Sequence, residues 1–241
     1  MSALPVFLHG WGLHGGVWSE TLAAVPGVAP DLPGYGGMPR PADYSAESLA
    51  DALAGTLDKA TAVVGWSMGG MVALALAARH PDKVARLVLV GTSPAFVSRP
   101  GWPYGLAPQI LADFAQALGD DYRATLLRFL SLQTRGGDAA REVTSRLRQT
   151  VFSRGEPAAA VLAAGLGLLR DDDLRPLAAR VRCHTLVVHG GRDMLCPVGA
   201  GRWLAQHIPG ACLALHERAA HAPFLSHPVW FVERLKEFLD G

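Results

Sequence analysis

Residues 61–80 read TAVVGWSMGGMVALALAARH. An apolar, β-branched run ends at a serine set between glycines, and a helical pattern starts at once on the far side. A strand that runs into a helix with almost no loop forces the residue at the turn into a strained conformation. Glycine at positions 65 and 69 removes the side chains that would collide across it. GWSMG (65–69) therefore fits G-x-S-x-G, with the strand before it and the helix after it that this pentapeptide needs to mean anything. Such a turn lifts the Ser67 hydroxyl above the sheet edge, and the helix from Met68 onward aims its N-terminal amides at the same spot. Ser67 is a candidate nucleophile.

Outward from this turn, short β-like runs alternate with helical stretches. Strands are expected at 5–10, 27–32, 61–67, 86–93, 184–190 and 212–217, and helices near 16–25, 45–57, 68–80, 197–207 and 228–239. Pro197 and Pro228 stand where a first helical turn accepts proline. Near-continuous apolar strands alternating with helices predict a mostly parallel sheet covered on both faces, an α/β fold. The alternation stops between about 94 and 180, where helices are expected at 108–118, 121–133, 138–153 and 156–169. The chain thus divides into a core, 1–93 and 181–241, and an inserted helical cap, 94–180. A cap in that position would lie over the C-terminal edge of the sheet, where ligands bind in open α/β sheets.

The 241 residues are 50% hydrophobic, and 22 Lys and Arg against 21 Asp and Glu give a formal net charge of +1. That balance gives no general attraction to nucleic acid. The longest apolar runs, such as MVALALAA (71–78), fall short of the roughly 18–20 residues of a membrane span. No signal peptide is visible at the N-terminus, and a cytoplasmic, monomeric protein is expected. Cys183, Cys196 and Cys212 form no CxxC pair and no zinc pattern and are expected to be reduced, buried or neutral in role; no metal and no cofactor are expected.

A serine hydroxyl needs a base. Of nine histidines, His189 and His216 lie in apparent strands, His80 and His207 close helices, His227 precedes the last helix, His9 with Gly10 reads as tight-turn packing, and His14 and His184 have no special setting. His221, in ERAAHAPFLSHP, sits among small residues in a loop after the last strand, where an imidazole can swing over the sheet edge. The base needs a carboxylate to fix its tautomer. Asp193, in VVHGGRDMLCP, follows a strand directly, whereas Asp171, Asp172 and Asp173 form a charged run at a helix end and read as solvated surface. The order Ser67, Asp193, His221 follows. An oxyanion formed at Ser67 would be held by the backbone N–H of Met68 and by that of Trp11, in the glycine-rich loop LHGWGLH (8–14). DLPGYGG (31–37) reads as turn structure rather than chemistry.

HGWG, DLPGYG, GWSMGG, GRD and HAPF, in that order over essentially the whole chain, resemble the α/β-hydrolase superfamily. Serine at the elbow argues against the haloalkane dehalogenases, which use aspartate there. LHGWGLHGGVW, GWPYGLAPQILADFAQALGDDY, RFLSLQT and AAHAPFLSHP more closely resemble the pimeloyl-[acyl-carrier protein] methyl ester esterases of biotin synthesis. That resemblance implies an α/β-hydrolase fold, hydrolysis of a methyl ester on a carrier-borne pimeloyl chain, and an acyl carrier protein as partner. By position it implies catalytic Ser67, Asp193 and His221 and substrate contacts at Trp11, Met68 and Phe129. Trp66 and Leu130 are further candidates for an apolar acyl pocket. The sequence departs from the superfamily in starting almost on the HG-bearing strand, without the usual preceding β-hairpin, which would leave an edge strand exposed.

Residues 120–154 hold seven arginines, no lysine and four acids, a net +3. Arg141 and Arg148, two helical turns apart, would share a face. Together with Arg123 and Arg128 they are candidates to bind an acidic carrier and its phosphopantetheine phosphate. An ordinary solvated helix is the alternative. For function, a hydrolase of small free esters, a C–C bond hydrolase with the same catalytic residues, and a non-catalytic scaffold of this fold stay open.

Overall fold

The computed structural model describes residues 3–241. Its sheet has five strands, β1 (Val6–Leu8), β2 (Thr61–Trp66), β3 (Val84–Val90), β4 (His184–Gly190) and β5 (Cys212–His216), in the spatial order β1-β2-β3-β4-β5. Every pair is parallel, with Leu8 beside Gly65, Trp66 beside Val90, and Gly190 beside His216. β2 and β3 are buried over most of their length because helices cover both faces, which is why they read as unbroken apolar runs.

Outside the segment between β3 and β4 the helices are α1 (Ser19–Ala24), α2 (Ala46–Ala54), α3 (Met68–Arg79), α9 (Val198–His207), α10 (Pro223–Ser226) and α11 (Pro228–Asp240), and the short α8 (Arg175–Ala178) precedes β4. Four longer helices lie between β3 and β4 in sequence: α4 (Pro108–Asp120), α5 (Tyr122–Thr134), α6 (Ala140–Phe152) and α7 (Ala159–Asp171). Local chemistry explains several starts. Ser45 caps α2 by accepting the Ser48 N–H, Asp121 caps α5 by accepting the Ala124 N–H, and proline opens α4 and α11. α3 is buried from Met68 to Ala78, apolar all round, because it is packed between the sheet and α2.

The strand expected at 27–32 is reduced to a single parallel bridge between Val28 and Val6. Pro26 and Pro30 flank it and lack the N–H groups a longer ladder needs. The bridge still covers β1: the Phe7 N–H donates to Val28 O, and the Val28 N–H donates to Pro5 O. With Val28 on one side of β1 and β2 on the other, the chain changes direction across the sheet at β1. The C-terminal ends of β1 and β2 carry residues 9–14 and Ser67, at the edge where open α/β sheets bind ligands. Among the described residues, no helix is long and apolar enough to cross a membrane.

Candidate active site

Ser67 joins β2 to α3 at φ 58°, ψ −123°. A non-glycine residue seldom holds a positive φ, and packing imposes it here. A Cβ on Gly65 would run into the Gly69 carbonyl oxygen, and one on Gly69 would stand 2.5 Å from His9 O and 2.6 Å from Leu8 O. The Ser67 N–H donates to Val90 O at 3.0 Å, and the Thr92 hydroxyl donates to Ser67 O at 2.7 Å.

Three loops at the C-terminal edge then converge. His221 Nε2 lies 2.9 Å from Ser67 Oγ, and His221 Nδ1 lies 2.7 Å from Asp193 Oδ2. Asp193 Oδ1 accepts the N–H groups of Leu195 and Cys196, both at 2.9 Å, which fixes the carboxylate and leaves Oδ2 to the imidazole. The Trp66 indole donates to His221 O at 2.9 Å, and the His221 N–H donates to Gln133 O at 3.1 Å. Ser67 is 3% exposed and His221 fully buried, so bulk water is kept from the pair. The structure thus brings together the serine, acid and base expected from sequence.

Neither the Trp11 nor the Met68 backbone N–H has a hydrogen-bond partner among the described residues. In the Trp11 loop, Gly12 N–H donates to the Tyr35 hydroxyl at 3.1 Å and Leu13 N–H donates to Gly10 O at 3.3 Å. Met68 opens α3, so its N–H has no carbonyl within the helix to meet. The Trp11 indole donates to Leu162 O of α7 at 2.9 Å and meets Phe129 of α5 edge-on at 4.7 Å. Gly165 of α7 faces Trp11 Cδ1 and Met68 Sδ, so Trp11 and Met68 lie beneath α7, with Phe129 of α5 against the Trp11 ring and all three buried. Leu130 is buried as well, whereas Trp66 packs against Phe224 and the His221 ring.

Several supporting groups carry no sequence signal, because they come from elements distant along the chain. Tyr35, within a segment assigned to turn structure, buttresses the Trp11 loop. His14, given no special setting, caps residues 15–18 by accepting the Gly16 N–H and bonds to Thr150 O at 2.7 Å. Asp172, read as solvated, is half-buried and accepts the Ala46 N–H at the start of α2; burial pushes its carboxyl up to about 6. Cys196 Sγ lies near Asp193 and His221 in the one set of donors close enough to hold a metal among the described residues. Burial holds that thiol protonated, well above its ordinary range, and the acid and imidazole already bind each other, so the set is ill suited to a cation.

The arginines do not form one face. Arg141 and Arg148 of α6 flank a groove of about 600 Å³ together with Arg135 and the hydroxyls of Ser131, Thr134 and Thr144. Arg128 lies in the adjoining groove with its guanidinium 4.7 Å over Phe114. Arg123 points elsewhere, paired with Glu156 at 3.1 Å and stacked on Phe152. Five residues along α5 rotate Arg123 about 140° from Arg128. Arg146 pairs with Glu20 and Glu142, and Arg154 with Asp31. Among the described residues, Arg128, Arg135, Arg141 and Arg148 have no acidic partner within salt-bridge distance.

Residues 6–228 match a family described as the alpha/beta hydrolase fold. The chain belongs to the α/β hydrolase family. It is 46% identical to a pimeloyl-[acyl-carrier protein] methyl ester esterase of Chromobacterium violaceum, over 98% of this chain and 93% of the relative. It is 45% identical to one of Aromatoleum aromaticum, over 92% of each. An esterase structure from Exiguobacterium antarcticum superposes with a TM-score of 0.88 at 23% identity, covering 100% of this chain and 93% of the other, a likeness of fold.

Proposed function

We propose that this chain is a serine carboxylesterase that hydrolyses the methyl ester of pimeloyl-[acyl-carrier protein], releasing methanol and the free carboxylate in biotin synthesis. The observation that carries the chemistry is the Ser67–His221–Asp193 chain of hydrogen bonds at 2.9 and 2.7 Å, built on a serine held at positive φ. The substrate assignment draws on relatives of that name at 39–46% identity over nearly the full chain.

In this mechanism His221 Nε2 takes the Ser67 proton as Oγ attacks the ester carbonyl, and Asp193 stabilises the resulting imidazolium. The new C–O bond leaves a tetrahedral oxyanion, which the two unpartnered N–H groups of Trp11 and Met68 are available to receive. Collapse breaks the bond to methoxide, which departs as methanol with the His221 proton. Water, deprotonated by the same imidazole, attacks the acyl-enzyme, and Ser67 recovers its proton. The helices of 94–180 act as a cap. Trp11, Met68 and Phe129 form the apolar wall for the acyl chain, and the Arg128–Arg135–Arg141–Arg148 surface steers the acidic carrier, with its phosphate drawn to the α5–α6 groove.

The test is incubation of the chain with methyl pimeloyl on acyl carrier protein, with methanol measured, beside labelling by a fluorophosphonate probe. Methanol release and a single label lost in Ser67→Ala are expected. Unlabelled Ser67, or methanol release that survives Ser67→Ala, contradicts the assignment.

A further inference from the structure

The turn 135–139, RGGDA, joins α5 to α6 and lies far in sequence from Ser67, yet it grips both loops that carry the other two site residues. Asp138 Oδ2 lies 2.7 Å from Arg218 Nε, three residues before His221, and 3.7 Å from His227 Nε2, six residues after it. Asp138 Oδ1 lies 3.6 Å from Arg192 Nη1, next to Asp193. One carboxylate therefore meets the His221 segment at both ends and the Asp193 loop beside its acid.

The backbone makes the same connections. The Asp138 N–H donates to Arg218 O at 3.1 Å, the His221 N–H donates to Gln133 O at 3.1 Å, and Arg192 Nη1 donates to Gly136 O at 3.2 Å. Gly137 is pressed against the residue before the base: a Cβ there would stand 2.7 Å from Ala220 Cβ and 2.9 Å from Ala220 N. Ala139 holds φ 53°, a left-handed conformation that a non-glycine residue keeps only where the surroundings over-determine it. Arg218 and Arg192 are half exposed or more, so these ion pairs add little to global stability. Their common geometry is what stands out.

We infer that Asp138 is a positioning residue that clasps the His221-bearing and Asp193-bearing loops to the inserted helices and so holds the imidazole on Ser67. The inference rests on the serine-esterase assignment above. A carboxylate at 138 sets the position of the segment 218–227 without touching substrate, and small misplacements of a base cost rate steeply.

The experiment uses the full chain and a small carrier-free ester, p-nitrophenyl acetate, with kcat and KM measured and active sites counted by fluorophosphonate titration. Asp138→Asn and Arg218→Gln are each expected to lower kcat per titrated site on the order of tenfold, with KM changed less than twofold. Asp138→Glu, which keeps the charge, recovers most of the rate. The double variant is no slower than the worse single, because both remove one link. Wild-type kcat per titrated site in Asp138→Asn overturns the inference, as does a loss that only tracks the number of titrated sites, or strict additivity in the double variant. Ser67→Ala serves as the control: if it keeps activity, the esterase assignment fails and the inference with it. If it is inactive while Asp138→Asn is unimpaired, the inference alone fails.

Discussion

Ser67 occupies a backbone conformation that costs on the order of 1–3 kcal/mol, and its neighbours hold it there through the Val90 carbonyl, the Thr92 hydroxyl and the close packing of Gly65 and Gly69. The strain was legible from GWSMG because only glycine at positions 65 and 69 leaves room for that turn. The bonds His9 makes beside the same turn were not, although its place in a tight turn was. Its Nε2 accepts the Leu32 N–H at 2.9 Å and its Nδ1 meets Gly10 O at 2.9 Å, so the neutral ring joins the Trp11 loop to the 31–37 turn. Burial pushes its pKa down from 6.5 to about 4. Between those values the unfolded chain binds more protons than the folded one, so stability falls as pH drops through that window. The loss attributable to His9 is about 3 kcal/mol once pH is below 4. In an Asp172→Asn background, which removes an oppositely signed carboxyl titration, urea unfolding at pH 7 and pH 5 is expected to give a lower midpoint at pH 5, while nitrogen shifts of the folded protein at pH 5 still report a neutral His9. A protonated His9 in the folded state at pH 5 contradicts this.

At the scale of elements, two contacts decide local stability. The first is between β1 and α3, where Gly69 lies against the backbone oxygens of Leu8 and His9. Backbone atoms yield less readily than side chains, so Gly69→Ala is predicted to destabilise the fold by about 1–3 kcal/mol and to slow fluorophosphonate labelling of Ser67. Urea midpoints and labelling rates measure both. The second is Asp172 at the start of α2. Its carboxyl, raised by burial to about 6, is protonated more readily in the folded chain than in the unfolded one. Stability therefore falls as pH rises from near 4 through 6, the opposite sign to His9. Asp172→Asn, which can keep the bond to the Ala46 N–H, is predicted to raise the melting temperature at pH 8, with the difference vanishing near pH 4. An equal or lower melting temperature at pH 8 sinks the prediction. The helices were largely legible because their apolar spacing and caps are local. The strand at 27–32 was not, since its two prolines leave room for a bridge but no ladder. Asp172 was misread because α2, which buries it, is more than a hundred residues away in sequence.

At the scale of the whole molecule, the order Ser67, Asp193, His221 could be read from the chain because Ser67 follows β2 directly, Asp193 and His221 lie in short loops after β4 and β5, and each carries its own turn chemistry. The clasp at Asp138 and the division of the arginines between grooves could not, because both depend on how α5 and α6 pack. On the function proposed above, the groove that holds Arg141 and Arg148 draws the acidic carrier over long range. The rate advantage of a carrier-borne ester over a free one should then shrink as ionic strength rises, and Arg141→Glu/Arg148→Glu should lower it at low salt while sparing hydrolysis of p-nitrophenyl acetate. The most direct measurement is kcat/KM for methanol release from methyl pimeloyl on acyl carrier protein against free dimethyl pimelate, with Ser67→Ala beside each. A large preference for the carrier form, abolished in Ser67→Ala and diminished by reversing Arg141 and Arg148, is the predicted result. Equal values for the two esters, or methanol released by Ser67→Ala, would contradict it.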